Sequence, residues 1–288
     1  VEHLSKHGIT EVVLSLGFAP DVFQATYPDS YCNGVPIHYA IEPEPLDTAG
    51  AIRFAAESAN IEETFLVLNG DVLTDLNVKK LVDFHKEMKG EASIHLIPVE
   101  DPSRYGVVPT DQSGRVTGFI EKPSPGESPT NWINAGTYVL EPSVLKQIPM
   151  DQRVSVEKET FPALAAESQL FAFQSETYWI DTGTPATYLQ AQMDLLEGGV
   201  RGNSHKGVDP TSLINGEVSE SVVGADVVIE KGARIERSII LKGAKIEQGA
   251  IVSNSIIGFD SCIGQNAAIS SLSVIGHRVQ VPNGIELN

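Results

Sequence analysis

A repeat of about 17 residues near the end of the chain constrains the fold more than any other feature. Four similar tetrapeptides start 17, 17 and 18 residues apart: SVVG at 221–224, SIIL at 238–241, SIIG at 255–258 and SVIG at 273–276. Between them an aliphatic residue recurs about every sixth position, so three hexads make one coil with one inward aliphatic per side. This pattern predicts a three-sided parallel β-helix, in which each coil is stabilised by its neighbours.

The first third of the chain follows a different rhythm, in which short apolar strands alternate with helical segments. Residues 1–8 are typical of the end of a helix, with Gly8 just after its last turn. Strands are predicted over 11–16, 35–41, 64–68 and 92–99, and helices over 21–27, 49–59 and 78–88. This alternation indicates βαβ units and a parallel sheet. The almost wholly apolar segment 64–68 is typical of a parallel strand covered on both faces.

After residue 104 the pattern predicts antiparallel strands. Segments 105–110 and 115–121 flank a turn at 111–114 and predict a hairpin, and 131–140 predicts a further strand. A helix is predicted over 155–167, short strands over 170–173 and 178–180, and a last helix to about 197 behind an N-cap at Thr184. The polar, Gly-rich stretch 198–212 has no periodicity and predicts a linker. The predicted domains are therefore 1–197 and 213–288.

Composition excludes several classes of function. The net charge of −18 argues against a sequence-independent nucleic-acid binder and against an anionic membrane surface as partner. No apolar run approaches the roughly 20 residues that span a bilayer. The two cysteines, Cys32 and Cys262, form no C-x-x-C pair, which fits neither a zinc site nor a disulfide scaffold. A reducing compartment, the cytoplasm, fits best.

Two aspartates follow apolar strands in a similar way. Asp71 ends the run Leu66–Gly70, and Asp181 follows Tyr178-Trp179-Ile180 and precedes a helix start. Ligands of open α/β sheets bind beyond the carboxyl ends of strands, and Mg²⁺ takes one or two carboxylates together with substrate phosphates. The alternatives are a turn residue for Asp71 and a helix N-terminal charge for Asp181. Gly70 has no side chain, so a ligand could approach its backbone closely.

Three further features could contact a ligand. Glu121 and Lys122 end a strand on what should be opposite faces, so we expect no salt bridge between them. Lys122 suits a phosphate, the alternative being a solvated edge. The small residues of 46–51 would expose backbone N–H groups to a nucleotide, the alternative being a plain helix start capped by Asp47 or Thr48. His277 lies within the repeats and is interpreted as a surface histidine.

These motifs occur together and in one order, and in this the chain resembles the sugar-nucleotide pyrophosphorylases, nucleotidyltransferases with a C-terminal left-handed β-helix. The matching segments are EPLDTAG at 44–50, LNGD at 68–71, YGVV at 105–108, FIEKP at 119–123, NAGTY at 134–138 and WIDTGTP at 179–185. The resemblance implies a Rossmann-like α/β domain with a mixed, mostly parallel sheet. The first motif is most similar to that of mannose-1-phosphate guanylyltransferases, although many relatives have Gly at the position of Asp47.

The resemblance also implies a reaction and a set of roles. A sugar 1-phosphate attacks the α-phosphate of an NTP, most simply mannose 1-phosphate and GTP, giving GDP-mannose and pyrophosphate. Asp71 and Asp181 would hold Mg²⁺, and Lys122 would contact the sugar phosphate. The residues implied for the sugar are Gly106, Glu121 and Asn134. Those implied for the nucleotide are Leu46, Thr48, Ala49, Gly50, Asn69 and Gly70. The β-helix would serve oligomerisation or regulation, so a homo-oligomer is expected.

Several alternatives remain open at this level. Thymidylyl or adenylyl transfer to glucose 1-phosphate would use the same architecture. A non-catalytic homologue that senses sugar nucleotides, and an acyltransferase using the β-helix, belong to other classes. The family also has a Gly-rich loop with a catalytic Arg, followed by Lys-Pro, upstream of the helix in which this sequence begins. We therefore expect the nucleotidyltransferase domain to be incomplete at Val1, because losing its central strand would expose two sheet edges.

Overall fold

The computed structural model describes residues 1–198, 200 and 207–288. These residues form two compact units, one of residues 1–70 and 76–179 and one of residues 71–75 and 180–288. Of the linker predicted at 198–212, residues 199 and 201–206 lie outside the described residues. Within the described chain, no helix is both long and apolar enough to cross a bilayer.

The helices of the first unit are close to their predicted positions. They are α1 (Glu2–Lys6), α2 (Pro20–Thr26), α3 (Asp47–Ser58), α4 (Val78–Met88), α5 (Pro142–Leu145) and α6 (Phe161–Ala166), with a 3₁₀ turn at Pro102–Arg104 and a π-helical turn at Val156–Thr160. Gly8 follows α1 with φ of 87°, the left-handed conformation expected of a residue that ends a helix. The helix predicted over 155–167 divides into the π-helical turn and α6.

Strands β1 to β11 alternate with these helices. They are β1 (Val12–Leu16), β2 (Tyr31–Cys32), β3 (Val35–Ile41), β4 (Phe65–Leu68), β5 (Val72–Thr74), β6 (Ala92–Pro98), β7 (Gly106–Val107), β8 (Ile120–Glu121), β9 (Trp132–Leu140), β10 (Leu170–Gln174) and β11 (Trp179–Asp181). β1 and β3 are parallel, and β2 forms an antiparallel hairpin with β3. The predicted hairpin after residue 104 is confirmed, because β7 pairs with β8 and Thr110 bridges to Val116.

The largest sheet is mixed, as expected for this fold class, but most of its pairings in the described chain are antiparallel, whereas the resemblance implied a mostly parallel sheet. Its order is β10-β6-β9-β7-β8, and β4 also pairs with β9. β6 and β10 are parallel, whereas β9 is antiparallel to β6, β4 and β7. The expectation that 64–68 forms a parallel strand covered on both faces is wrong, because β4 pairs antiparallel with β9 and is only half-buried. A short apolar run alone does not encode the direction of its partner.

Both faces of this sheet are covered by apolar side chains. On one face Tyr138 packs edge-on against Phe161 of α6, with ring centroids 4.8 Å apart, among fully buried residues such as Ile94 and Leu164. On the other face Val139 contacts Leu81 of α4. This burial holds β9, the strand that carries the NAGTY motif, in the middle of the core.

The β-helix predicted from the repeats is confirmed in the second unit. Its strands are β12 (Leu213–Ile214), β13 (Glu217–Ser219), β14 (Val222–Val223), β15 (Val228–Ile229), β16 (Arg234–Glu236), β17 (Ile239–Ile240), β18 (Lys245–Ile246), β19 (Ile251–Ser253), β20 (Ile256–Ile257), β21 (Cys262–Ile263), β22 (Ala268–Ile269), β23 (Val274–Ile275), β24 (Gln280–Val281) and β25 (Glu286–Leu287). They form three parallel sheets with one strand per coil. The inward aliphatics, such as Ile229, Ile246 and Ile263, are fully buried.

The second unit also contains α7 (Pro185–Leu196), which begins with a capping box between Thr184 and Thr187. Leu189 and Met193 of α7 pack on Ile239 and Ile256, outward-pointing residues of the sheet β14-β17-β20-β23. This contact explains why that side of the β-helix has aliphatic residues on both its inner and outer positions.

Candidate active site

The partner strands of β9 separate opposite the NAGTY motif. β4 pairs along one half of this edge of β9, with Leu68 opposite Thr137, and β7 pairs along the other half, with Val107 opposite Ile133. Residues 134–136 lie between these two pairings, where the end of β4 and the start of β7 meet the same stretch of β9. The fold therefore brings the predicted sugar and nucleotide residues Asn69, Gly106 and Asn134 to one place.

Asn69 and Gly70 leave β4 at this point. The Asn69 N–H donates to the Gly136 carbonyl at 2.8 Å, and a Cβ on Gly136 would lie 2.7 Å from Asn69 Nδ2. Gly136, with φ of 68°, thus makes room for Asn69. In contrast, apart from its two chain neighbours, no described residue has an atom within 4 Å of a Cβ built on Gly70. The backbone of Gly70 is open to close approach, as the sequence led us to expect.

The Asn134 side chain is fixed by its own strand. Its Nδ2 donates to the Tyr138 hydroxyl at 2.9 Å, and its Oδ1 accepts from the Gly136 N–H at 2.9 Å. Tyr138 is buried, and burial, followed by the negative charge of Glu157, raises its pKa above the ordinary value. The hydroxyl is therefore neutral and serves as a fixed hydrogen-bonding group.

Gly106, Glu121 and Lys122 form a second group beside β9. Gly106 pairs with Glu121 across the hairpin, and a Cβ on Gly106 would lie 3.2 Å from Glu121 Oε2. The prediction that Glu121 and Lys122 do not pair is wrong, because Lys122 Nζ lies 3.6 Å from Glu121 Oε1. The reason is that the strand ends at Glu121, and Lys122 adopts the left-handed conformation with φ of 47°. Both side chains remain exposed to solvent.

The start of α3 differs from the expectation. Ala49 and Gly50 donate their N–H groups to the Val154 carbonyl, Leu46 donates to the Glu42 carboxylate, and Thr48 donates to the Asp47 carboxylate. The prediction of exposed backbone N–H groups here is therefore wrong. A Cβ on Gly50 would lie 2.6 Å from the Gln152 carbonyl oxygen, so this glycine admits a segment of the protein itself.

Neither of the two residues considered as the cap of α3 caps it. The N-cap position is Leu46, without a side-chain bond. Asp47 is left-handed, with φ of 60°, a conformation that Gly adopts without strain. The part that residues 46–50 play in nucleotide binding stays a prediction.

The two aspartates predicted as metal ligands lie together in the second unit. A Cβ on Gly183 would lie 2.9 Å from Asp181 Oδ1 and 3.7 Å from Asp71 Oδ2. Thr182 ties the two segments together, since its N–H and its hydroxyl both donate to the Asp71 carbonyl at 2.8 Å. Asp181 Oδ1 accepts from the Gly183 N–H at 2.7 Å. No hydrogen bond to the Asp71 carboxylate is found among the described residues.

This donor set fits a hard divalent cation that keeps other ligands. No group of three or more Asp, Glu, His or Cys suited to a metal is present in the described part of the chain. Mg²⁺ is usually bound by one or two carboxylates together with substrate phosphates and water, and the Asp71 carboxylate has no hydrogen-bond partner among the described residues.

Two further side chains lie outside these groups. His277 accepts from the Phe259 N–H at 3.0 Å and packs against the Phe259 ring, which is a structural role on the surface of the β-helix.

Glu157, which no sequence motif points to, accepts from the Thr48 hydroxyl at 2.8 Å. The two residues are 109 positions apart, so periodicity and spacing could not reveal this contact.

Comparison with known proteins agrees with this fold. The family model described as nucleotidyl transferase matches residues 1–198, and the model described as GMPPB C-terminal domain matches residues 198–288. The chain therefore belongs to the nucleotidyl transferase family, which confirms the resemblance and makes the protein an enzyme. Members of this family use a divalent metal.

Named relatives make the position within the family more specific. The chain is 36% identical to the mannose-1-phosphate guanylyltransferase of Mycobacterium tuberculosis over 83% of this chain and 69% of that protein. It is 36% identical to the mannose-1-phosphate guanyltransferase of Candida albicans over 100% of this chain and 84% of that protein. A crystal structure of HddC from Yersinia pseudotuberculosis is similar with a TM-score of 0.57 and 31% identity, over 66% of this chain and 80% of that one.

Proposed function

We propose that the protein transfers a guanylyl group from GTP to mannose 1-phosphate, giving GDP-mannose and pyrophosphate. The observation that carries this assignment is the 36% identity, over the whole chain, to a relative named mannose-1-phosphate guanyltransferase. Support comes from a second structure of HddC, described as complexed with GMP-PN, which is 29% identical with a TM-score of 0.56 over 66% of this chain and 80% of that one.

The chemistry is an in-line displacement at the α-phosphorus. A phosphate oxygen of mannose 1-phosphate forms a bond to this atom while the bond to the α,β-bridging oxygen breaks. The electron pair leaves with pyrophosphate. Both reactants are anions, so the protein must align them and offset their charge. With a net charge of −18, it can do so only where a metal and a few basic groups reverse the local field.

Asp71 and Asp181 are the proposed ligands of Mg²⁺. The Asp71 carboxylate, unbonded within the described chain, is available to a cation. Asp181 is oriented by the Gly183 N–H. When bound, Mg²⁺ would neutralise phosphate charge and favour the geometry of the displacement.

The remaining roles are proposed for residues near the NAGTY motif. Lys122 would contact the sugar phosphate as a point charge, because its 3.6 Å contact with Glu121 is exposed and easily exchanged. Glu121 would accept from sugar hydroxyls beside the Gly106 backbone and Asn134. Asn69 and Gly70, with Leu46, Thr48, Ala49 and Gly50, would form the nucleotide side. Gly70 would contribute its accessible backbone.

The direct test is release of pyrophosphate by the purified protein with each pairing of GTP, dTTP or ATP and mannose or glucose 1-phosphate. We expect turnover with GTP and mannose 1-phosphate and dependence on Mg²⁺. Turnover only with dTTP or ATP and glucose 1-phosphate would overturn the guanylyl assignment. Binding of GDP-mannose without turnover of any pair would show a sensor in place of an enzyme.

We further propose that residues 1–197 act as the catalytic domain, that residues 213–288 support a homo-oligomer, and that the enzyme works in the cytoplasm. Exposed apolar side chains on the β-helix, including Phe259 and Val274, support a protein contact there. The free cysteines Cys32 and Cys262 fit a reducing compartment. Sedimentation of the protein as a monomer at micromolar concentration would contradict the oligomer.

A further inference from the structure

A carboxylate in the π-helical turn holds the start of α3 through a side-chain contact. Glu157 Oε2 accepts from the Thr48 hydroxyl at 2.8 Å and from the Ser155 hydroxyl at 3.0 Å. The Thr48 oxygen in turn accepts from the Val156 N–H at 2.8 Å. Thr48 therefore both donates to and accepts from the turn, which fixes the orientation of its hydroxyl.

The backbone around Glu157 reinforces the same contact. The Val154 carbonyl accepts from the N–H groups of Ala49 and Gly50, and the Val154 N–H donates to the Leu46 carbonyl at 3.0 Å. These bonds place the π-helical turn directly against the first turn of α3. Single π-helical turns are rare and occur often at functional sites, because they present side chains in directions that an α-helix does not allow.

Glu157 also acts on the other side of the site, through Tyr138. The π-helical turn that carries Glu157 continues into Phe161, whose ring packs edge-on against Tyr138 with centroids 4.8 Å apart, and Val156 of the turn belongs to the same buried cluster. Burial first, and the negative charge of Glu157 second, raise the pKa of the Tyr138 hydroxyl. The hydroxyl accepts from Asn134 Nδ2, and Asn134 Oδ1 accepts from the Gly136 N–H. A negative charge near Tyr138 favours the orientation in which its O–H dipole points toward Glu157 and its lone pair faces Asn134.

We propose that Glu157 is a positioning residue that couples the nucleotide side of the site, at Thr48, to the sugar side, at Asn134. This inference rests on the proposed function, since it takes its two sides from the roles given there. Because one carboxylate interacts with both sides, a displacement of side chains on one side changes the geometry of the other. Such coupling acts on the binding of both substrates before the chemical step.

The charge of Glu157, and not only its shape, is required. A carboxylate accepts two hydroxyl donors on one oxygen and polarises Tyr138, whereas an amide of equal size presents one neutral oxygen and two donors. Glu157→Gln therefore loosens Thr48 and removes the polarising charge without creating a cavity. Glu159 is the matched control, because it lies on the same turn and its carboxylate, among the described residues, accepts only from the Ser155 N–H at 3.3 Å.

The first measurement is steady-state kinetics with GTP and mannose 1-phosphate. We expect Glu157→Gln to raise the KM of each substrate about tenfold, with kcat changed less than about threefold. Thr48→Val should raise the KM of GTP alone, and adding it to Glu157→Gln should raise that KM no further. Glu159→Gln should leave both KM values unchanged. A change in only one KM for Glu157→Gln, or a lower kcat at unchanged KM, would overturn the proposal.

The second measurement needs no turnover. Hydrogen–deuterium exchange of peptides covering 44–50 and 132–138 should be about fivefold faster in Glu157→Gln than in the wild type and in Glu159→Gln. Unchanged exchange in either segment would overturn the coupling. A wild-type protein without turnover of GTP and mannose 1-phosphate would overturn the proposed function instead, and the exchange result would still decide the coupling.

Discussion

The β-helix and the α/β unit bury their apolar residues by opposite routes. In the β-helix equivalent residues stack on one another one coil apart, as Ile229, Ile246 and Ile263 do. In the α/β unit decisive contacts join residues far apart in the chain, such as Thr48 and Glu157, 109 positions apart. A repeating sequence therefore specifies its own register, whereas the α/β unit depends on partners that only the complete fold brings together. The polar networks proposed for substrate binding belong to the second kind.

The largest expected effect compares the proposed metal site with an exposed ion pair of the β-helix. We expect Asp71→Asn to lower kcat about a thousandfold, or ~4 kcal/mol of activation free energy, because it replaces a proposed metal ligand whose carboxylate has no hydrogen-bond partner among the described residues. The measurement is Mg²⁺-dependent release of pyrophosphate. Asp226→Asn is the control, since Asp226 is an exposed β-helix residue with a 3.8 Å contact to Lys242. Full activity in Asp71→Asn would remove Asp71 from the site.

The second test concerns the equivalence of the coils. Ile246→Ala and Ile263→Ala should each destabilise the β-helix by about 3 kcal/mol, because each residue is fully buried and leaves a cavity. The two losses should agree within about 1 kcal/mol, since both side chains point into the same stack. Hydrogen exchange of β-helix peptides measures these free energies, at tenfold in rate per ~1.4 kcal/mol.

Ile251→Ala provides the control for this pair. Ile251 points outward in the β-helix and is 46% exposed, so its loss should cost under about 1 kcal/mol. Unequal losses at Ile246 and Ile263 would show that the coils are not equivalent and that the repeat is a weaker constraint than its regularity indicates.

This contrast explains how much of the fold the sequence predicts. The β-helix follows in register from its hexads, and the helices and strands of the α/β unit follow from local periodicity and caps such as Thr184. The direction of β4 does not follow from local sequence, because it is set by pairing with β9. Phe65 of β4 pairs with Leu140 of β9, which lies 75 residues further along the chain. The outward aliphatics Ile239 and Ile256 need α7 to explain them.

The candidate site divides in the same way. The proximity of Asp71 and Asp181 could be predicted from the rule that ligands bind at strand ends. The open backbone at Gly70 could be predicted because glycine has no side chain. The hydrogen bonds at Ala49 and Gly50 could not be predicted, because their acceptor, Val154, belongs to a distant segment. The contact of Lys122 with Glu121 depends on a single left-handed residue, which the motif itself does not encode.

The third test concerns a buried ionisable group of the α/β unit. Burial lowers the pKa of His95 to about 4 from the ordinary 6.5. The unfolded chain therefore binds a proton that the folded one does not, so stability is complete above about pH 6.5 and is lost as the pH falls toward 4. Between pH 7 and pH 5 the unit should lose about 2 kcal/mol through this residue.

Urea unfolding followed by tryptophan fluorescence measures this loss, because Trp132 and Trp179 both belong to the first unit. His95→Gln should remove about 2 kcal/mol of the pH dependence. Ser175→Ala, which removes the partner of His95 Nε2 at 2.8 Å, should retain it, since burial is the cause. A pH dependence that is the same in the wild type and in His95→Gln would exclude His95 as its source.

The smallest expected effect concerns the hydrogen bonds between serines in successive coils of the β-helix. Ser221, Ser238 and Ser255 stack one coil apart, and each of the first two hydroxyls accepts from the N–H of the next serine, at 3.0 and 3.2 Å. The following interval has 18 residues, and its extra residue lies in a turn where Ser271 and Leu272 are both left-handed. Within the described part of the chain, the Ser273 hydroxyl bonds only to the Ser270 carbonyl, to which it donates at 2.6 Å. Ser238→Ala therefore leaves a buried N–H without an acceptor, whereas Ser273→Ala does not.

We expect a loss of about 1.5 kcal/mol for Ser238→Ala and about 0.5 kcal/mol for Ser273→Ala. Hydrogen exchange of peptides covering 234–258 and 268–278 provides both values. Because Ser and Ala differ little in volume, the difference isolates the hydrogen bond between coils from the packing of the aliphatic stack. Equal losses would mean that the serine stack contributes no more than a local turn, and that the aliphatic residues alone set the register of the coils.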